Sequence, residues 1–163
     1  MNYINGSDLL MSIGGQACGH CTSHTTTYTS ETKDRAVKPA ASQTAETDGL
    51  WKEKTVTGLS VQVKCEGLRY YGETEAGMAA ILPKWAKGDK VELKGFLRGS
   101  DAAPYMSGQF IISSIEESDP AGDDATYNVT FDNSGKVTIT ETAIDPEKTS
   151  RPNTEAEPAD GEE

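Results

Sequence analysis

Residues 50–71 read LWKEKTVTGLSVQVKCEGLRYY, the clearest two-residue alternation in the chain. Leu59, Val61, Val63 and Cys65 fall on one side; Ser60, Gln62, Lys64 and Glu66 fall on the other. A period of two is the mark of a half-buried β-strand, with one face toward a core and the other toward water. Fully extended, the stretch spans roughly 70 Å at about 3.3 Å per residue, far beyond an ordinary strand. Gly58 and Gly67 are the positions where a bend costs least. The stretch is therefore one long kinked strand, or two strands sharing a direction, in a large curved antiparallel sheet.

Upstream, residues 8–13 (DLLMSI) form a strand stopped by Gly14 and Gly15. Residues 21–32 (CTSHTTTYTSET) are rich in β-branched Thr, with Tyr28 as their only large apolar group. A strand polar on both sides suits an exposed edge, or a wall completed by another subunit. Residues 33–49 (KDRAVKPAASQTAETDG) lose all periodicity and read as a loop. Loops longer than about 12–15 residues are uncommon in compact domains and are usually functional or disordered. Lys33, Arg35 and Lys38 open this one, Glu46 and Asp48 close it, and Trp51 stands at its exit. It is an interaction arm or a simple insertion.

Downstream, residues 73–88 carry a helical stripe, with Met78, Ile81, Leu82 and Trp85 spaced to share one core-facing side. Thr74 is the expected N-cap and Gly88 the expected C′ residue, and Pro83 predicts a kink or restart. Strands follow at residues 90–98, at 105–118 with apolar residues on both faces, and at 125–131. Asn133-Ser134-Gly135 is expected to turn the last of these into a hairpin with residues 136–142. From residue 143 the chain is acidic, proline-bearing and too polar to offset its ordering entropy, which predicts a flexible tail over 143–163 after a domain over 1–142. The fold class is mainly β (α+β): an antiparallel β-sandwich or barrel with one flanking α-helix.

A length of 163 residues allows one domain with a real core. Asp and Glu outnumber Lys and Arg 26 to 15, a net charge of −11, which disfavours nucleic-acid binding through a basic footprint. No stretch approaches the roughly 20 apolar residues of a membrane helix. Residues 1–15 lack the basic and apolar regions of a secretory signal. The expectation is folding in a reducing cytosol, where the 3 cysteines stay thiols.

Cys18-Gly19-His20-Cys21 has the C-x-x-C spacing of redox proteins, but a Thr-rich strand follows it and no βαβ pattern surrounds it. Cys18, Cys21, His20 and His24 are zinc-ligand types crammed into one short stretch, where residues on opposite strand faces cannot converge. Incidental Cys and His at a strand start is the favoured reading, with Cys65 near them only by chance. No catalytic or nucleotide-binding motif is present, and adjacent Glu116 and Glu117 point to opposite faces. Neither an enzymatic activity nor a cofactor or metal is expected. A monomeric binding module using the 33–49 loop is the alternative to a subunit acting through assembly.

Certain phrases carry a family resemblance: Ser7-Asp8-Leu9-Leu10, CTSH at 21–24, ETKDRAVKP at 31–39, residues 50–66, and ATYNVTFDNSG at 125–135. In this series the chain resembles the major tail tube protein family of long-tailed, non-contractile bacteriophages. It departs from that pattern at Pro83, in a helix that is usually continuous, and at Thr26 and Tyr28, where more aliphatic residues are usual. The resemblance implies a virion tail protein, assembled in the host cytoplasm as hexameric rings stacked into a tube that conducts DNA. Its implied partners are copies of itself and the tape measure, terminator and baseplate proteins, with DNA only in transit and no membrane anchor. Lys33, Arg35, Lys38, Pro39, Trp51 and Lys52 would make contacts between rings and subunits. Ser60, Gln62, Lys64 and Glu66 would face the lumen, where an acidic balance repels phosphate. A tube of a contractile or secretion system shares this physical logic.

Overall fold

The alternation at 59–66 is realised in β4, Glu53–Leu68, a continuous strand of 16 residues. The structure is a computed structural model that describes residues 3–36, 38, 50–72, 74–99 and 103–140. Around β4 lie β1 (Leu9–Ile13), β2 (Gln16–Ala17), β3 (Cys21–Arg35), β5 (Val91–Leu97), β6 (Met106–Ser118), β7 (Thr126–Asn133) and β8 (Thr138–Ile139). A helix, α1 (Met78–Lys87), connects β4 to β5. All pairings are antiparallel, in the order β2-β1-β5-β6-β7-β4-β3, with β8 added to β6.

β2 and β3 stand at opposite ends of that order, yet only Cys18, Gly19 and His20 separate them in the chain. A link of this length reaches at most about 14 Å. The sheet must therefore curl until its ends meet, as a barrel does. Backbone bonds hold the seam: Leu68 N–H donates to the His20 carbonyl at 3.1 Å, and Gly19 N–H to the Ala76 carbonyl at 3.1 Å. The architecture is thus one curled sheet.

The bends fall beside the expected glycines. Thr57 is an extra residue next to Gly58, and Thr22 is an extra residue on β3 opposite Gly67. Bulges of this kind bend a strand and increase its twist. Inside the curl lies one core, including Met11, Val63, Cys65, Leu93, Met106, Phe110, Val129 and Phe131.

Several expectations are corrected. Leu59 belongs to the aliphatic side of β4 but is 76% exposed, because β7 pairs only with Gln62–Leu68 and the core ends there. Strand β3 continues through Lys33 and Arg35, which pair with Thr55 and Glu53. Ladder hydrogen bonds need no side-chain periodicity, so the loop begins later than composition implies. Lys38 lies beyond the strand and is exposed, and Pro39 falls outside the described residues.

The helix starts at Met78 with Gly77 as its N-cap, not at Thr74. Ala76 instead bridges Cys18, and its N–H donates to the Ala17 carbonyl at 2.8 Å, so the preceding residues extend the sheet edge. Pro83 lies inside α1, which ends at Gly88 in the left-handed conformation (φ 69°). The carbonyl that Pro83 leaves without an N–H is that of Ala79, an exposed residue that solvent reaches. Finally, β8 pairs with Met106 and Ser107 of β6 and not with β7, so residues 134–137 are a crossing and not a hairpin turn.

Tyr127 pins the seam from within the core. Its hydroxyl donates to the Gly19 carbonyl at 2.6 Å and lies 3.3 Å from Cys18 Sγ. Tyr127→Phe should lower stability by about 1–3 kcal/mol, since a buried carbonyl loses its donor. Equilibrium urea unfolding reads this directly; an unchanged midpoint would show that the seam does not depend on that bond.

Candidate assembly surfaces

Three surfaces remain without a partner inside the subunit. The first is the outer half of the β3–β4 ribbon. Beyond Val61, β4 is paired only on its β3 side among the described residues, and both edges of the ribbon are open to them. Directly opposed residues share a face. Tyr28 opposes Val61, Ser30 opposes Leu59 and Thr32 opposes Val56. The bulge at Thr57 thus keeps Val56 on the side of Leu59 and Val61, and the core stripe continues past the core. At the end of the ribbon Trp51 is 82% exposed, and Lys52 and Lys54 approach Asp34 at 3.9 and 3.7 Å. Lys33 and Arg35 point to the opposite face, where Arg35 Nε donates to Thr55 Oγ1 at 2.9 Å.

The second surface is the outer face of the sheet. Ser60, Gln62, Lys64 and Glu66 all lie there, exposed, opposite Thr29, Thr27, Thr25 and Ser23. Through the register they share that face with Asp132, Ile111, Gln109 and Glu92. Its charges are largely matched. Lys64 Nζ meets Glu66 at 3.2 Å, and Lys94 Nζ meets Glu92 at 3.1 Å. Gln62 Nε2 donates to Asp132 at 2.9 Å, and Asn128 Nδ2 to Glu116 at 3.4 Å. The face presents hydroxyls and carboxylates, with its lysines already occupied.

The third surface corrects the helix stripe. Met78 and Ile81 are buried, whereas Leu82 and Trp85 are 37% and 51% exposed. The two line an open groove of about 440 Å³ with Ser113, Ser114, Ile115 and Glu117 of β6. The small and polar residues on the β6 side leave the outer part of the stripe uncovered. Ser113 marks a bulge in β6, which no composition signal announced.

The thiols form a cluster that sequence reasoning missed. Cys18, Cys21 and Cys65 contact one another, and His24, the cross-strand partner of Cys65, contacts Cys21. The β3–β4 pairing, which sets Cys65 opposite His24 and Gly67 opposite Cys21, brings Cys65 to the pair, and strand alternation alone cannot show that register. Among the described residues, no group of three or more His, Cys, Asp or Glu side chains is arranged to hold a metal ion. Likewise, no helix among them is long and apolar enough to cross a membrane.

A curled sheet with an open ribbon, a polar outer wall and an uncovered helix groove defines a structural subunit that works through its surfaces. Over residues 4–139 the sequence matches the family model described as phage tail tube protein, and the chain belongs to that family. It is a structural virion tail protein, not an enzyme. Among solved structures, the fold is similar to the tail of an empty gene transfer agent particle computed with helical refinement and C6 symmetry. There the identity is 18% and the TM-score 0.67, covering 85% of this chain and 99% of that one. It is also similar to the SPP1 tail tube, at 14% identity and TM-score 0.58, covering 90% and 85%. A sheath/tube terminator of an extracellular contractile injection system shares the fold at 14% identity and TM-score 0.57, covering 86% and 98%. No curated protein matches the sequence.

Proposed function

We propose that copies of this chain assemble into hexameric rings and that the rings stack into a hollow tube through which DNA passes. The observation that carries this reading is the ribbon: Val56 and Leu59 extend a core face beyond the core and lie exposed there, where another copy would cover them. The Leu82–Trp85 groove supplies apolar surface of matching character, and a head-to-tail contact between unlike patches generates rings when its rotation closes. Open strand edges on the ribbon invite pairing between copies, which removes the hazard that such edges pose to a free subunit.

The outer sheet face becomes the lumen wall. DNA sliding past Ser60, Gln62, Lys64 and Glu66 meets carboxylates and hydroxyls, while the lysines that would grip phosphate are held by neighbouring carboxylates. Lys33, Arg35, Lys38, Pro39, Trp51 and Lys52 contact the next ring. Tape measure, terminator and baseplate proteins are the expected partners at the tube's interior and ends.

Negative-stain microscopy of the purified protein should show rings or tubes about one subunit layer thick. A strictly monomeric species at high concentration and at every salt tested would leave the monomeric binding module as the better account. Deleting residues 39–47 should preserve the fold and the rings but stop stacking; tubes of wild-type length in that deletion would remove the stacking role from this segment. The likeness to a contractile injection system favours a second version of the same reading, a tube enclosed by a sheath. Micrographs of intact tails distinguish the two by the presence of that sheath.

A further inference from the structure

The thiol cluster at the seam is unused by the assembly reading, and its geometry is that of a reactive pair. His20 sits in the left-handed conformation (φ 44°), which turns the chain sharply between Cys18 and Cys21. The turn is fixed from several sides. His20 N–H donates to Glu75 Oε2 at 3.0 Å, the His20 ring packs on Tyr70 at 3.9 Å between centroids, and Gly19 N–H bonds the Ala76 carbonyl. Cys18 and Cys21 line the same open cavity of about 850 Å³, together with His20, His24 and Glu75. Cys65 touches both thiols but is fully enclosed and does not line the cavity.

The three groups are chemically unequal. Contacts from Cys18 and Cys65, and then from His24, pull the Cys21 thiol well below its ordinary range, despite partial burial. The contact with Cys21, with burial, pushes Cys18 up to about 11. Cys65 is raised by the same neighbours and by burial. Cys21 is also the half-exposed member of the cluster, its Sγ 3.2 Å from the Ser23 carbonyl. A half-exposed thiol, donating to the Ser23 carbonyl and lining an open cavity beside a buried second thiol, is the arrangement that thiol–disulfide exchange requires.

We propose that Cys18 and Cys21 form a site of reversible oxidation, closing to a disulfide within the short link that joins β2 to β3. The oxidant is a small-molecule disulfide such as oxidised glutathione. Cys21, on losing its proton to solvent, attacks one of its sulfurs, forming a mixed disulfide and releasing one thiolate. Cys18, on losing its proton, attacks Cys21 Sγ, forms the Cys18–Cys21 bond and expels the second thiolate. Two protein thiols give up two electrons and two protons, and one small disulfide becomes two thiols. The chemistry stands without the assembly reading. Its timing rests on that reading, since a virion component meets an oxidising exterior on release.

The test is oxidation of the full chain with glutathione disulfide at neutral pH, followed by acid quenching, denaturation, alkylation and peptide mass analysis. Free thiols should fall from three to one, with Cys18 linked to Cys21 and Cys65 alkylated, and dithiothreitol should restore all three. A brief exposure should trap glutathione on Cys21 first. Cys65→Ala should keep the linkage and Cys21→Ser should lose it. Persistence of three thiols, linkage through Cys65, or a stoichiometric zinc ion retained through dialysis would each overturn the proposal. None of these outcomes bears on whether tubes form, so the two readings fail separately.

Discussion

Phe131→Ala is expected to lower the unfolding free energy by about 3–5 kcal/mol, the cost of removing a large buried ring and leaving its cavity. Phe131 is fully buried on β7 and opposes Val63 of β4 on one side and Ile112 of β6 on the other. It therefore sits where three neighbouring strands of the sheet meet. A domain of this size typically has about 5–15 kcal/mol of stability, so the substitution consumes a large share of it. Urea unfolding followed by far-UV circular dichroism measures the loss. The control is Leu59→Ala, which should stay within about 0.5 kcal/mol in the free subunit, as expected for an exposed site. Equal effects at the two positions would mean that the core extends along the ribbon.

That pair of residues also shows what was legible in the sequence. Alternation identified strand β4 and the inward faces of β5 and β7, because a half-buried strand must segregate its side chains. It could not show where along β4 the core stops. Leu59 and Val61 obey the same pattern, but only Val61 reaches the stretch that β7 covers, its N–H donating to Asn133 Oδ1 at 2.9 Å. The stripe on α1 failed in the same way. Met78 and Ile81 find the core, while Leu82 and Trp85 overrun it. In both places apolar side chains lie exposed beyond the core among the described residues.

Other features were illegible because they depend on contacts between distant parts of the chain. Cys65 reaches Cys18 and Cys21 only through the register of β4 on β3, a non-local pairing that the spacing of the cysteines does not announce. The exit of β8 toward β6 depends on which edge is left open near Met106, a non-local fact. The helix boundary moved because Ala76 found backbone partners on β2, and no propensity scale weighs a tertiary hydrogen bond. Polar Thr on both faces of β3 suits an exposed edge or a wall completed by another subunit, and among the described residues β3 is the last strand in the sheet order.

The second large effect is expected in assembly. Val56→Ser combined with Leu59→Ser should leave the free subunit folded but raise the concentration needed for tube formation by about 100-fold or more. Both side chains are exposed in the free subunit, so the monomer loses little. Full burial of a Val or Leu side chain contributes about 1.5–3 kcal/mol, and the two together exceed the roughly 2.7 kcal/mol that corresponds to 100-fold in association. In the proposed ring each subunit would make this contact once with its ribbon and once with its groove, so the loss would be repeated around the ring and along the tube. Trp85→Ser should reproduce the defect from the receiving side. The triple variant should be less defective than the sum of the two, because the surfaces act on one contact and their effects are not additive. Sedimentation and microscopy across a concentration series read the threshold. Tubes at the wild-type threshold in both variants would mean that neither apolar surface lies between subunits. Strict additivity would instead place the ribbon and the groove in two separate contacts.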